Sequence, residues 1–401
     1  MKEGMNCFWR RMAALVTCAV LVFSLSSTVA ASEENEIMPI SSNVEVEEGT
    51  LQLNCKSAVL MEATTGTVLY RQNAGEAMPP ASVTKIMTLL LLMEAIDRGQ
   101  ITLNDTVTVS ANAASMGGSQ VYLKEGEQMR LEELLKCVII ASANDAAVAL
   151  AEYLCGSVSS FVSKMNERAE QLGMKSTRFE NVTGLDDTAE HHLTSAEDIA
   201  IMSKELIRYP KVLEYSSLWM DTIRNGEFGL TNTNRLVRFY PGCTGLKTGS
   251  TSKAGFCISV TAQREGLSLI CVIMGAETRD IRNAAAVSLL DWGFSRFALF
   301  VSEPQALEAI PVTGGMEDGV ELERGSFTCV VPKEKLKLIE ERITLPPSIT
   351  APVKKGDVVG TVAYYVGEEP LGCIDITASE EVLRIHFFEI LRRMAAAFLL
   401  I

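Results

Sequence analysis

The sequence predicts an α/β domain, an antiparallel sheet with helices and a helical subdomain, joined to a small all-β domain and a terminal amphipathic helix. Three observations lead there. A hairpin pattern near residue 60 is separated from three further strand patterns beyond residue 243 by segments of helical periodicity. Short β-branched runs divided by proline and glycine occupy 304–377. From residue 378 to the end, apolar side chains return to helical spacing.

At 401 residues the chain has room for two domains, and 47% hydrophobic with 21% charged residues is an ordinary globular composition. A formal net charge of -14 leaves no basic footprint, which excludes nucleic acid as a partner. Lys2, Arg10 and Arg11 precede an apolar run from Met12 to Leu25 and small residues ending at Val29-Ala30-Ala31. Residues 1–31 therefore read as a secretory signal, too short for a permanent span, and the rest of the chain as exported. Ten cysteines include no Cys-x-x-Cys pair, and several lie in apolar runs such as Leu269-Ile270-Cys271-Val272. Buried free thiols are expected, and no metal site.

Taken in order, the acidic run Ser32 to Asn54 leads to Ala58–Ala63 and Thr67–Tyr70, which flank Thr64-Thr65-Gly66 as a hairpin. Pro79 and Pro80 precede a helix of apolar residues running from Ile86 to Ile96. Helical periodicity recurs over 131–140, 146–154, 161–173 and 194–208, the last opened by Thr194 as cap with Glu197 three residues on. Three antiparallel strands follow from Thr244, with a turn at Gly266, and then a helix from Arg282 to Trp292. The domains are placed at 32–300 and 301–377. The helix expected over 378–401 has Leu383, Phe387, Ile390, Leu391, Met394 and Phe398 on one side, suited to a membrane interface.

The chemistry is expected at Ser82-Val83-Thr84-Lys85. At a helix start, Ser82 and Lys85 share one face, where the helix dipole favours negative charge. Lys85 can take the serine proton if burial or neighbouring cations lower its pKa. With only His191, His192 and His386 in the chain, and no Gly-x-Ser-x-Gly elbow, a serine hydrolase here uses lysine rather than a histidine triad. Two further motifs follow in order: Ser142-Ala143-Asn144, at a polar corner between apolar helices, and Lys247-Thr248-Gly249, in the first of the late strands.

Ser-x-x-Lys, Ser-x-Asn and Lys-Thr-Gly in that order, within Pro-Ala-Ser-Val-Thr-Lys-Ile-Met-Thr, Ala-Ser-Ala-Asn-Asp-Ala-Ala and Gly-Leu-Lys-Thr-Gly-Ser-Thr, with Asn181-Val182-Thr183-Gly184-Leu185 between them, resemble the low-molecular-mass penicillin-binding proteins of the serine-type D-alanyl-D-alanine carboxypeptidase family. The resemblance covers nearly all of the exported chain and implies a β-lactamase/transpeptidase-like fold, peptidoglycan stem peptides as substrate and β-lactams as inhibitors. It implies no cofactor, and a terminal helix that tethers the enzyme to the outer face of the cytoplasmic membrane. It further implies Ser82 as nucleophile, Lys85 as base, Ser142 as proton relay, and Asn144 as partner of the substrate amide. Lys247 and Thr248 would hold the terminal carboxylate, Gly249 would admit substrate to the strand edge, and the N–H groups of Ser82 and Ser250 would form the oxyanion hole. Relatives carry an arginine before Lys-Thr-Gly; Arg235 and Arg238 are the candidates here. A β-lactamase, a D,D-endopeptidase and a non-catalytic wall-binding scaffold are the alternatives. The absence of Glu-x-x-Leu-Asn counts against the first.

Overall fold

The computed structural model describes residues 51–186 and 189–399, with side chains as far as residue 396. The expected signal, with Cys7 and Cys18, and the acidic run as far as residue 50 lie outside the described residues.

The longer helices are α1 (Lys85–Asp97), α2 (Leu131–Ile140), α3 (Asn144–Cys155), α4 (Val158–Gln171), α5 (Ala196–Leu206), α6 (Arg279–Arg296) and α7 (Phe387–Leu399). Serine or threonine caps α4, α5 and α6: Ser157 accepts from the Ser160 N–H, Ser195 from Asp198 and Thr278 from Ile281. The cap of α5 is thus Ser195 rather than Thr194. Thr194 is instead drawn into a backbone bridge with Met78, and its hydroxyl meets that of Thr177 at 2.7 Å.

The hairpin strands β1 (Ser57–Glu62) and β2 (Val68–Gln72) join the later strands β3 (Cys243–Thr251), β4 (Gly255–Arg264) and β5 (Leu267–Ala276) in one sheet of order β2-β1-β5-β4-β3. Every neighbouring pair is antiparallel, and β1 meets β5 with Leu60 opposite Cys271. Strand alternation sends Val59, Met61, Ile270, Val272 and Met274 into one core with the helices α1 to α5. Ala58, Leu60, Leu269, Cys271 and Ile273 enter a second core under α6. Helices on both faces explain why these strands are apolar throughout. The eight cysteines within the described residues are free thiols, four of them buried.

The following strands are β6 (Phe297–Ser302), β7 (Gln305–Thr313), β8 (Gly319–Arg324), β9 (Phe327–Pro332), β10 (Ile339–Thr344), β11 (Ile349–Thr350), β12 (Val358–Val366) and β13 (Glu369–Ala378). They form a sheet of order β10-β12-β13-β8-β7-β11 and a β6–β9 pair, around a core that includes Val320, Leu322, Val362 and Tyr364. The tail differs from expectation. Ala378 ends β13, Val382 is fully buried and bridges Val353, Arg384 bridges Gly315, and helix begins only at Phe387. Pairing with the β domain satisfies the backbone of 379–386 better than a free helical turn.

Leu60 is fully buried between sheet and α6. Leu60→Ala is expected to lower the unfolding free energy by about 2–5 kcal/mol, read as a shifted urea midpoint at unchanged slope.

Candidate active site

Ser82 sits in a 3-10 turn, Ala81–Thr84, and the α-helix proper starts at Lys85. In a 3-10 turn side chains at i and i+3 eclipse, which stacks Ser82 over Lys85 more directly than an α-helical turn. The turn has no side-chain cap, so Ser82 is not spent on the helix end. Ala81, just before it, is held at φ 50, and the loop carrying Gly184 lies against it so closely that a Cβ on Gly184 would fall 1.8 Å from the Ala81 carbonyl oxygen.

Lys85 is fully buried at the start of an apolar helix. Its Nζ lies 2.9 Å from Ser82 Oγ, 2.6 Å from Asn144 Oδ1 and 3.0 Å from the Thr183 carbonyl oxygen. Both carbonyl oxygens can only accept. A neutral amine has two N–H donors for them and one lone pair left for the serine proton. Burial, and next the charge on Lys247, push the Lys85 pKa well below its ordinary 10.5, and Asp145 opposes them. Asp145 itself is buried and accepts from the N–H groups of Val121, Leu123 and Ala146.

The Ser-x-Asn corner divides its work. Ser142 Oγ accepts from Lys247 Nζ at 2.7 Å, and its backbone takes φ 61 to do so. A left-handed serine costs on the order of 1–2 kcal/mol, which the buried contact offsets. Asn144 opens α3 with its side chain buried, Oδ1 on Lys85 and Nδ2 on the Gly117 carbonyl at 2.7 Å. Its amide is therefore committed to orienting the lysine.

β3 is an edge strand of the sheet and runs beside the serine turn. A Cβ at Gly249 would come within 2.7 Å of Ser82 N and 2.9 Å of both Pro80 O and Val83 N. The glycine is needed chiefly to let the strand meet the backbone of the serine turn, which brings the Ser82 and Ser250 neighbourhoods together. Lys247 is buried, donates to Ser142 Oγ and to the Thr248 carbonyl at 2.9 Å, and has its pKa lowered to about 7 by burial and by Arg282. Thr248 Oγ1 donates to Thr233 Oγ1 at 2.8 Å.

These groups open on a cleft of about 580 Å³ whose walls include Ser82, Ser142, Thr248, Ser250 and Trp219. Arg235 lines it; Arg238 instead stacks its guanidinium 5.5 Å from the rings of Trp219 and Phe239. Arg279 and Arg282, from the first turn of α6, also line the cleft and were not foreseen. Arg282 is 2% exposed, and its hydrogen bonds go to neutral oxygens, Asn283 Oδ1 and the Cys257 carbonyl. A buried cation among neutral acceptors suits an anionic ligand. Nothing local in Thr278-Arg279-Asp280-Ile281-Arg282 marks it, since only the sheet order brings that helix end, packed on β5 and β4, to the cleft. The Thr183 carbonyl is likewise invisible as a residue type, though Asn181 to Leu185 flags the loop.

A serine beside a buried amine, under a strand edge flanked by cations, is an apparatus for covalent acyl transfer to serine from a substrate bearing a carboxylate. The sequence pattern of the peptidase S11 family, D-alanyl-D-alanine carboxypeptidase, matches residues 43–278, and that of the penicillin-binding protein 5 C-terminal domain matches 299–384. The chain belongs to the D-alanyl-D-alanine carboxypeptidase family. It is 41% identical to the D-alanyl-D-alanine carboxypeptidase DacF of Bacillus subtilis (strain 168), over 84% of this chain and 88% of that one. The structure is similar to penicillin binding protein 5 from Haemophilus influenzae, with a TM-score of 0.74 at 30% identity, covering 84% of this chain and 99% of that one. It is also similar to penicillin-binding protein D2 from Listeria monocytogenes in its ampicillin-bound form, with a TM-score of 0.57 at 32% identity, covering 61% of this chain and 100% of that one.

Because the Gly249 Cβ position is blocked by backbone atoms, Gly249→Ala must push β3 off the serine turn. Acylation by a fluorescent penicillin is expected to slow by on the order of 100-fold, with an unchanged circular dichroism spectrum.

Proposed function

We infer that the cleft is the acyl-transfer centre of a serine D-Ala-D-Ala carboxypeptidase, which removes the terminal D-alanine from peptidoglycan pentapeptides and is blocked by β-lactams. The observation that carries this reading is the 2.9 Å contact of Ser82 Oγ with a fully buried Lys85 amine whose other two neighbours are obligate acceptors. Neutral Lys85 takes the hydroxyl proton as Ser82 Oγ attacks the carbonyl carbon of the penultimate D-alanine. The N–H groups of Ser82 and Ser250 receive the oxyanion, each such donor contributing about 3 kcal/mol. On collapse the C–N bond breaks and the proton held by Lys85 passes to the departing D-alanine amine through Ser142, which is itself held by Lys247. Water then cleaves the acyl-enzyme. Lys247, Thr248 and Arg282 take the terminal carboxylate, and Asn144 meets the substrate amide with the Nδ2 hydrogen that Gly117 leaves over. The β-lactamase, endopeptidase and scaffold readings are not favoured beside this one.

The site of action is extracytoplasmic, and we propose export by the signal at 1–31. Among the described residues no single helix is long and apolar enough to cross a membrane. α7 exposes Phe387, Phe388, Leu391 and Met394, while Glu389 pairs with Arg392 and Arg393, and Arg393 with Asp318 at 2.7 Å. An apolar face left bare while the charged face is tied to the β domain supports adsorption of this helix to the membrane surface. Removal of residues 387–401 is expected to release the protein from lipid vesicles at unchanged D-alanine release from soluble pentapeptide.

The central experiment is D-alanine release from a pentapeptide ending in D-Ala-D-Ala. Ser82→Ala is expected to abolish both release and penicillin labelling; release that survives it would refute the assignment.

The pH profile follows from the two lysines. Lys85 must be neutral, so kcat/KM falls in acid, and the lowered pKa carries that limb well below the ordinary lysine range. Lys247 must be charged, so kcat/KM also falls as pH rises through about 7. Arginine keeps its charge, so Lys247→Arg is expected to move the alkaline limb upward whatever its absolute rate. A limb that stays in place would remove Lys247 from the carboxylate site.

A further inference from the structure

His192 is 5% exposed and belongs to none of the motifs. The Glu180 N–H donates to its Nδ1 at 2.9 Å, so that nitrogen carries no proton. In the neutral ring Nε2–H then donates to Thr84 Oγ1 at 2.7 Å, and the Thr84 hydroxyl donates to the Ala81 carbonyl at 2.8 Å. Burial, opposed by the charge on Glu180, lowers the ring's pKa to about 4, in keeping with the neutral form. Phe179 sets the ring plane from 5.7 Å.

The two ends of this one-way chain matter. One is Ala81, in the left-handed region immediately before Ser82. The other is the start of the 180–185 loop, whose Thr183 carbonyl accepts from Lys85 and whose Val182 carbonyl accepts from Thr88 at 2.8 Å. The Asn181 side chain stiffens that loop by accepting from the N–H groups of Thr183 and Gly184. Nucleophile and lysine acceptor thus sit on separate segments, and one ring bonds to both.

We propose that His192 is a positioning residue for acyl transfer, pinning the 180–185 loop to the Ala81–Thr84 turn so that Ser82 Oγ and Lys85 Nζ stay in register, although the ring touches neither. The proposal rests on the reading of Ser82 and Lys85 given above. A histidine that merely fills the core would affect folding alone; a pin acts on the chemical step.

The test uses the exported full chain with D-alanine release and fluorescent penicillin acylation as readouts. His192→Phe and Thr84→Val each cut the chain and are expected to lower kcat on the order of 10- to 100-fold with KM held within about 2-fold. The double variant is expected to be no slower than the slower single one, because both break the same chain. His192→Gln, with one acceptor and one donor, is expected to recover part of the rate. If His192→Phe does not fold, Thr84→Val and His192→Gln carry the test. An unchanged kcat in folded Thr84→Val, a loss confined to KM, or losses that multiply in the double variant would each overturn the pin. Wild-type protein that neither releases D-alanine nor takes label brings down the Ser82 reading instead, and the pin with it.

Discussion

The structure depends on burying one primary amine beside a serine, where its pKa is held well below the ordinary lysine value. In water an amine of this kind is protonated at neutral pH and cannot act as a base. Here the apolar first turns of α1 exclude water from Lys85, and a second buried lysine adds like-charge repulsion. Two carbonyl oxygens then fix the direction of the remaining lone pair toward Ser82 Oγ. Each of those features comes from a different part of the chain: α1, the start of α3, the loop after α4 and the edge strand β3. The sheet and its helical subdomain act as a jig that brings four distant segments to one nitrogen.

The same logic explains the arrangement of charge. Arg282 reinforces the lowering of Lys247, and Lys247 reinforces that of Lys85, so the cationic field is graded from the cleft inward. A carboxylate entering at Lys247, Thr248 and Arg282 meets charge that neutral protein groups have not compensated. Its arrival would restore the proton on Lys247 while Lys85, farther in, keeps its lone pair. On the proposed reading, substrate charge and catalytic base would be served by two lysines that repel each other.

Much of this is legible in the amino-acid sequence itself. The apolar runs of β1 and β5 and the three-residue spacing of Ser82 and Lys85 are displayed directly by the sequence. What could not be read depends on long-range placement. Arg282 enters the site because α6 starts where β5 ends and packs across β4, and the Thr183 carbonyl could not be read because a backbone atom has no residue signature. The division of Ser142 to Lys247 and Asn144 to Lys85 turns on the left-handed backbone of Ser142, which residue type does not favour. Helix begins at Phe387 rather than 378 because Val382 and Arg384, within a stretch of helical spacing in the sequence, bridge to the β domain instead.

A site built this way opposes the stability of the fold that carries it. Lys247 has a folded pKa of about 7 against an ordinary 10.5, so the unfolded chain binds its proton more tightly over that interval. Linkage gives the sign: stability rises with pH from about 7 toward 10.5, and the full penalty, several kcal/mol, is present below about 7. Lys85 contributes in the same direction. The offset has to come from burial, and the surrounding helices supply it: Val83, Ile86, Met87, Leu90, Leu134, Ile140 and Leu150 are all essentially inaccessible to water. Fully burying a side chain of this kind contributes about 1.5–3 kcal/mol, so a few of them offset the cost at Lys247. On the proposed reading the dense helical subdomain is part of the catalytic design, since a looser core would admit water and raise the amine's pKa back toward its ordinary value.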